Sequence, residues 1–223
     1  KMLKSVYQNG GFYIGKYEAG STATRTNHSS ISGIVPKSQA NQYPINWVTC
    51  SDAQSLATKV ASGTSKTSSL MFGIQWDLVQ KYIETKLITQ GSNLFTAQSL
   101  LKTNSTSWGN YQSTLYELTN SNVKYSLNNG ANWLTTIPFS KTSTSDKIFL
   151  TTGALTTFAK QNIFDFAGNV WEYTLEYSGN TASPCTIRGG AYESTASENN
   201  ANTRTVATPT FSYSSVGFRV SIY

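Results

Sequence analysis

The chain has 223 residues, enough for one well-filled globular core, and 13 % of them are aromatic. Only 13 % are charged, whereas 30 Ser, 30 Thr and 18 Asn together make up more than a third of the sequence. A coiled coil needs far more Ala, Glu, Lys, Leu and Arg, and a disordered tail has far fewer aromatic residues. No stretch approaches the ~18 apolar residues of a membrane span, so we expect no membrane insertion.

The basic residues are scattered along the chain. The formal net charge is +6, from 17 Lys and Arg against 11 Asp and Glu. Nucleic-acid binding needs such side chains in one dense patch, so no nucleic-acid partner is expected. The chain begins at Lys1 with no apolar signal core before Tyr7, which suggests the C-terminal part of a longer protein.

The first part of the chain predicts one strand and two helices. Aromatic and β-branched residues between glycines indicate a strand over 10–18, and a polar loop follows at 20–42. Thr49 or Ser51 can cap a first helix, because either side chain can accept a hydrogen bond from a free amide of the first turn. Apolar residues at helical spacing predict a second helix over 74–87.

Residues 88–160 form a polar insertion that is interrupted by Gly109, Gly130 and Pro138. The pattern predicts one or two strands, for instance around 123–127, and nothing in the sequence indicates a role for the insertion. A second binding surface and a contact with other subunits both stay open.

Three short motifs in the C-terminal part carry most of the information. They read DFAGNVWEY at 165–173, RGGAY at 188–192 and GFRV at 217–220. Gly168 and Asn169 suit a tight turn because both tolerate a positive φ, and a strand with one aromatic face in the core should follow. The third motif predicts a closing strand.

In this order the motifs resemble the sulfatase-modifying-factor family, whose fold is the formylglycine-generating-enzyme variant of the C-type lectin fold. The segment PINWVT at 44–49 also resembles that family's first strand-to-helix junction. Tyr173 stands where the family usually has Trp, and Ala191-Tyr192 where it usually has Ser-Trp. The resemblance implies an α+β fold with short strands, two helices and long loops. It also implies a single domain over 1–223, with the insertion at 88–160 and a C-terminal binding segment at 187–223.

The catalytic metal ligands of that family have no match in this chain. Its oxidising members hold copper between a closely spaced pair of cysteines near the C-terminus, and the related sulfoxide synthases hold iron with three histidines. Cys50 and Cys185 match no such pair, and His28 is the only histidine. We therefore expect no catalytic residues, no copper and no iron. Whether the two cysteines form a disulfide stays open, and two free thiols are favoured.

One cation site is predicted at the turn of the first motif. Two carboxylates and two backbone carbonyls around a turn suit Ca²⁺, which binds six to eight oxygens in flexible geometry. The resemblance implies a structural calcium at this segment. The ligands would be Asp165 and Glu172 through their side chains and Gly168 and Val170 through their carbonyls. The alternative, in which Asp165 caps the turn and Glu172 accepts from loop amides, stays open.

The segment between the second and third motifs has the composition of a binding loop. Aromatic residues supply contact area there, and short polar residues supply hydrogen bonds. A group of phage and bacterial-surface proteins in the resembled family, diversified by retroelements, varies residues in this bracketed region. The candidates for ligand contact are Tyr192, Ser194, Ser197, Asn199, Asn200, Asn202, Arg204, Phe211 and Tyr213.

The favoured function is a non-catalytic module that binds a cell-surface protein or glycan receptor from a virion or a bacterial cell surface. The alternative is a formylglycine-generating or sulfoxide-synthase type of enzyme with a rearranged metal site. A purely structural decoration domain is a third possibility. Tight, stoichiometric binding of copper or iron would favour the enzyme. A neighbouring reverse transcriptase gene with a near-copy of the C-terminal coding segment would indicate diversification.

Overall fold

Four helices and fifteen short strands make up the α+β fold, which the computed structural model describes over residues 1–223. The helices are α1 (Met2–Asn9), α2 (Cys50–Ala57), α3 (Gly73–Thr89) and α4 (Leu94–Lys102). The strands are β1 (Tyr13–Ile14), β2 (Gly20–Ser21), β3 (Tyr43–Pro44), β4 (Ser68–Leu70), β5 (Tyr116–Leu118), β6 (Tyr125–Ser126), β7 (Phe139–Lys141), β8 (Phe149–Leu150), β9 (Ala159–Lys160), β10 (Ile163–Phe164), β11 (Trp171–Thr174), β12 (Cys185–Arg188), β13 (Arg204–Ala207), β14 (Val216–Phe218) and β15 (Val220–Ile222). None of the helices combines the length and the apolar character needed to span a bilayer.

The C-terminal motifs build the main sheet, whose strand order is β13-β12-β11-β14. Strand β11 pairs antiparallel with β12, with Glu172 opposite Arg188, and parallel with β14, with Tyr173 opposite Phe218. Strand β13 lies at the edge and pairs only with β12. Apolar side chains of α2, among them Leu56, pack on this sheet. Together with the sheet residues they form the largest hydrophobic cluster of the core.

The predicted closing strand is in fact two strands, which separate at Arg219. Strand β14 belongs to the main sheet, whereas β15 lies between β1 and β4 in a three-stranded sheet. The two ends of the chain therefore meet, because β1 follows the first helix and β15 precedes Tyr223. The predicted strand over 10–18 is correct in place but is only the two residues of β1.

Both predicted helices are present, and two more were not predicted. Helix α2 begins after Thr49, whose hydroxyl accepts from the Asp52 amide while the Asp52 carboxylate accepts from the Thr49 amide. This reciprocal capping explains why a helix of eight residues starts there. Helix α3 carries Trp76, which stacks on Phe166 at 4.2 Å between ring centroids. Helices α1 and α4 are only eight and nine residues long, and Asn93 caps α4.

The polar insertion folds around a small core of its own. Strands β5 and β7 pair, β6 and β8 pair, and apolar residues such as Leu118 and Ile148 are buried between them. The predicted strand around 123–127 is β6. The side chain of Asn110 donates to the Ile148 carbonyl at 2.6 Å and to Asn169 at 3.0 Å, which connects the insertion to the first motif.

We expect Gly109→Ala to lower the free energy of unfolding by at least ~3 kcal/mol. A Cβ at this position would overlap the backbone carbonyl oxygen of Ala167, and a backbone atom cannot rotate away as a side chain can. Urea denaturation followed by circular dichroism measures the change.

Gly11→Ala is the matched control. No atom lies within 4 Å of a Cβ built on Gly11, so the expected change stays within ~0.5 kcal/mol. Equal unfolding midpoints for the two variants would contradict the close approach at Gly109.

Candidate functional site

The turn of the first motif is closed by a glutamate from the N-terminal part of the chain. Gly168 and Asn169 have φ angles of 86° and 56°, as predicted for a turn. The side-chain amide of Asn169 donates to Glu18 at 2.7 Å, and the backbone amide of Val170 donates to the other Glu18 oxygen at 3.1 Å. Glu18 is therefore the residue that occupies the concave side of this turn.

Arg219 is wholly buried beside this turn and uses its guanidinium to join several segments. Its Nε and Nη2 donate to Glu172 at 2.8–3.2 Å. Its Nη1 donates to the carbonyl of Gly15 at 2.9 Å, and Nη2 also reaches the carbonyls of Phe164 and Asp165 at 2.8 and 2.9 Å. A buried guanidinium needs this many acceptors, because each unsatisfied N–H would cost desolvation energy.

Three buried carboxyl groups lie near this one guanidinium, and we call Glu18, Asp165 and Glu172 the acidic cluster. Only Glu172 among them forms an ion pair with Arg219. Burial raises the pKa of Asp165 to about 7, although Arg219 opposes the shift. Burial, followed by the charges of Asp165 and Glu172, raises the pKa of Glu18 well above its usual range. Burial also raises the pKa of Glu172 despite its ion pair, so each carboxyl of the cluster binds its proton more tightly than it would in water.

The predicted calcium ligands lie in this region, but both of their carboxylates have other partners. Both oxygens of Glu172 accept from Arg219, and the Asp165 carboxylate accepts from the Gly153 amide at 3.2 Å. No three His, Cys, Asp or Glu side chains are placed to hold a metal ion together. A calcium ion bound to Asp165, Gly168, Val170 and Glu172 would require the ion pair to open, and this site stays a prediction.

The main surface feature of the C-terminal segment is an apolar groove of about 350 Å³ on the main sheet. Strands β11–β14 and the segment 208–215 form this groove. We call it the C-terminal groove. Its lining consists of Trp171, Ile187, Glu193, Thr205, Val206, Phe211, Tyr213, Ser215 and Val216. Glu193 is the only ionisable carboxyl among them, and Ser215 donates to it at 2.6 Å.

Two of the nine predicted contact residues line the C-terminal groove. Phe211 and Tyr213 are 39 % and 44 % exposed, and their rings lie parallel with centroids 6.5 Å apart. Tyr213 also packs against Trp47. These two side chains combine exposure with a rigid apolar surface, as a recognition site requires.

The rims of the groove are held by backbone hydrogen bonds. The Tyr173 hydroxyl donates to the Phe211 carbonyl at 2.6 Å, and the Trp47 amide donates to the Tyr213 carbonyl at 3.0 Å. Tyr173 is one of the residues that depart from the family motif, and its hydroxyl provides this contact. The Phe211 and Tyr213 side chains take no part in these two hydrogen bonds.

Three predicted contact residues have structural roles. Tyr192 is wholly buried, stacks on Phe149 and donates to Asn129 of the insertion at 2.9 Å. Asn200 is buried and donates to the Lys102 carbonyl at 3.0 Å. Tyr192 and Asn200 therefore cannot contact a ligand without a change of fold. The third residue, Arg204, is exposed, but its guanidinium already forms ion pairs within the protein.

Arg204 belongs to a network of four charges beside the groove. Its guanidinium contacts Glu176 at 2.8 Å and Asp77 at 3.3 Å. Arg188 contacts the same two carboxylates from the buried side, at 3.4 and 2.8 Å. The network fastens the edge strand β13 to helix α3, so that Arg204 is already neutralised within the protein.

The remaining four candidates lie on the loop 189–203, outside the groove lining. Ser197 and Asn202 are exposed, whereas Ser194 and Asn199 are half-buried. The Ala201 carbonyl accepts from Trp76 and fixes this loop on α3. Ser197 and Asn202 are thus the members of this set that are open to a partner.

Sequence reasoning missed the residues that form the floor and the near wall of the groove. Trp171 was expected in the core but is half-buried and lines the groove, and Val206 on β13 is 49 % exposed. The alternation of exposed and buried residues along β13 could have indicated Val206. The role of Glu193 had no such sequence pattern.

The two cysteines are free and lie side by side in the core beneath the main sheet. Cys50 on α2 and Cys185 on β12 are 7 % and 8 % exposed. Burial, with the neighbouring Cys185 thiol, raises the pKa of Cys50 to about 12. Cys50 therefore stays a protonated thiol at neutral pH.

We expect the stability of the protein to fall as pH rises from about 4 to about 7. Asp165 binds a proton more tightly when folded than when unfolded, so its contribution is present at acidic pH and lost as pH passes its folded pKa. The slope for this one group is at most ~1.4 kcal/mol per pH unit. Asp165→Asn should reduce it, and asparagine tolerates the positive φ of 47° at this position.

Thermal unfolding of both proteins between pH 4.5 and 7.5 measures the effect. Asp52 and Glu84, whose pKa values are lowered in the fold, give the opposite slope in both proteins, so the difference between the two curves reports Asp165 together with its effect on Glu18. Parallel curves would contradict the raised pKa.

Comparison with solved structures finds the same fold in Treponema denticola variable protein 1, which is 15 % identical with a TM-score of 0.52, over 94 % of this chain and 84 % of that one. PvdO from Pseudomonas aeruginosa is 14 % identical with a TM-score of 0.48, over 95 % and 80 % of the two chains. CarF is 16 % identical with a TM-score of 0.43, over 98 % and 79 %.

No curated protein matches the sequence significantly. The model of the family described as the sulfatase-modifying factor enzyme 1-like domain matches residues 9–222. The match begins in the last turn of α1 and ends in β15, so it includes the insertion, the acidic cluster and the C-terminal groove. The chain therefore belongs to the sulfatase-modifying factor enzyme 1-like family.

Proposed function

We propose that the protein is a non-catalytic binding module that recognises a cell-surface protein or glycan through its C-terminal groove. The observation that carries the proposal is the groove itself, with Phe211 and Tyr213 exposed above an apolar floor. Aromatic side chains on a rigid frame supply contact area at a small entropic cost. The fold likeness to a variable protein of Treponema denticola is consistent with this role.

The charge around the groove favours a neutral or mildly basic partner surface. Glu193 is the only carboxyl in the lining, and no Lys or Arg contributes to it. The nearest arginine of β13, Arg204, is paired with Glu176 and Asp77. A sulfated or phosphorylated ligand would find no cation there, whereas hydroxyl groups of a glycan or side chains of a protein would find both apolar and hydrogen-bonding groups.

We place this module on a virion or a bacterial cell surface, in a group of receptor-binding proteins diversified by retroelements. The composition supports this, because a surface rich in Ser, Thr and Asn can form hydrogen bonds with many partners. Side chains such as Phe211 and Tyr213 can also vary there without loss of the backbone hydrogen bonds that hold the segment.

The alternative is an enzyme with a rearranged metal site, and the family includes catalytic members. The feature in its favour is the contact between Cys50 and Cys185. Both thiols lie in an apolar environment, however, and the raised pKa of Cys50 opposes the thiolate form that soft metals bind. Tightly bound, stoichiometric copper or iron that is lost in Cys50→Ser would favour the enzyme.

We expect Phe211→Ala with Tyr213→Ala to weaken binding at least tenfold, since aromatic residues at the centre of an interface contribute ~2 kcal/mol or more each. Fluorescently labelled protein is titrated onto a glycan array and onto a panel of intact bacterial cells. Protease or periodate treatment of the cells then separates a protein receptor from a glycan.

Tyr7→Ala with Phe95→Ala is the matched control, because it removes one Tyr and one Phe that are 91 % and 82 % exposed elsewhere. This variant should bind like the unchanged protein. Binding that survives the first pair of substitutions, or is lost in the control, would refute the proposed site. No binding by the unchanged protein to any probe would count against receptor recognition.

We also propose that calcium binds at the turn of the first motif, where it would stabilise the loop without a chemical role. Calcium at 1 mM should then raise the melting temperature relative to EDTA, and Asp165→Asn should abolish the shift. Magnesium at 1 mM serves as the control cation. Equal melting temperatures in calcium and EDTA would refute the calcium site, and the Arg219–Glu172 ion pair would then stay closed.

A further inference from the structure

A large cavity lies in the polar insertion, apart from the C-terminal groove. It has a volume of about 710 Å³, within the range of small-molecule sites. Residues of α4, the segment 104–107, strand β5 and the turn 155–158 surround it. No residue lines both the cavity and the groove.

The walls of this insertion cavity are apolar on one side. Tyr116 and Phe158 meet edge to face with centroids 5.7 Å apart, and Leu100 and Leu155 extend the same wall. Leu115 lies in the lining as well and is 54 % exposed. An aromatic ring of a ligand can join such a pair in the offset or edge-to-face arrangements that aromatic rings prefer.

The rest of the lining presents neutral hydrogen-bonding groups and one charge. Ser99, Ser107 and Thr157 contribute hydroxyls, and Glu117 is the only ionisable acid in the lining. No Lys or Arg lines the cavity. Two ammonium groups lie nearby but are engaged by carbonyls: Lys141 donates to Tyr111 and Gln112 at 2.7 Å, and Lys160 donates to Thr157 at 3.3 Å.

We propose that this cavity is a second ligand site, which binds a small aromatic molecule that carries no negative charge. The aromatic pair and the leucines bind the ring of the ligand, and the hydroxyls bind its polar substituents. Glu117 attracts a cationic substituent and repels a carboxylate. The site is independent of receptor recognition, because its residues and those of the C-terminal groove belong to different segments.

Three phenols with the same ring test the proposal. They are 4-ethylphenol, which is neutral, tyramine, which is cationic, and 3-(4-hydroxyphenyl)propionate, which is anionic. We expect saturable binding of the first two with dissociation constants of about 1 mM or lower, as ligands of this size allow. The anion should bind at least threefold more weakly, and Glu117→Gln should remove that difference. Titrations followed by two-dimensional NMR of the protein give all of these constants.

Thr157→Trp places an indole in the cavity and should abolish binding of all three phenols. Thr156→Trp is its matched control, since Thr156 is exposed in the same turn but does not line the cavity. Phe211→Ala should leave phenol binding unchanged, which keeps this test separate from that of the C-terminal groove. Absence of binding at 5 mM, unchanged binding in Thr157→Trp, or equal affinity for the anion would each overturn the proposal.

Discussion

The ion pair between Arg219 and Glu172 is the interaction on which the rest of the fold depends. Glu172 lies in the main sheet, and Arg219 lies at the point where the chain leaves that sheet for the three-stranded one. Because the same guanidinium binds carbonyls at Gly15, Phe164 and Asp165, it holds both ends of the chain against the first motif. Loss of one partner from such a buried pair typically costs 3–5 kcal/mol, since the other charge is left without compensation.

The C-terminal surface follows from this rigid centre. The main sheet fixes Trp171 and Val216 side by side at the floor of the groove, and hydrogen bonds from Tyr173 and Trp47 fix its rim. The network that joins β13 to α3 closes the remaining side. Polar interactions thus set the position of the backbone, and the apolar side chains that line the groove remain accessible to solvent.

The motifs of the C-terminal part allowed the fold and the turn at Gly168-Asn169 to be predicted, because local φ requirements and a short pattern specify them. The partners of these motifs could not be predicted in the same way. Glu18 lies 151 residues before the amide that it accepts from, and nothing near it in sequence indicates that contact. The ion pairs of Arg204 could not be predicted for the same reason, because its two carboxylate partners are distant in sequence. Arg204 was therefore predicted to contact a ligand.

The way in which the segment 208–215 is held has a consequence for how recognition can change. The carbonyls of Phe211 and Tyr213 are hydrogen-bonded to the scaffold, whereas their side chains are partly exposed and make only ring contacts, among them that of Tyr213 with Trp47. Substitution at these positions alters the chemistry of the surface while the path of the chain is preserved. Substitution at Tyr192 or Asn200, in contrast, would disturb contacts with the insertion and α4. The loop therefore separates residues that can be exchanged for a new specificity from residues that every functional variant must keep.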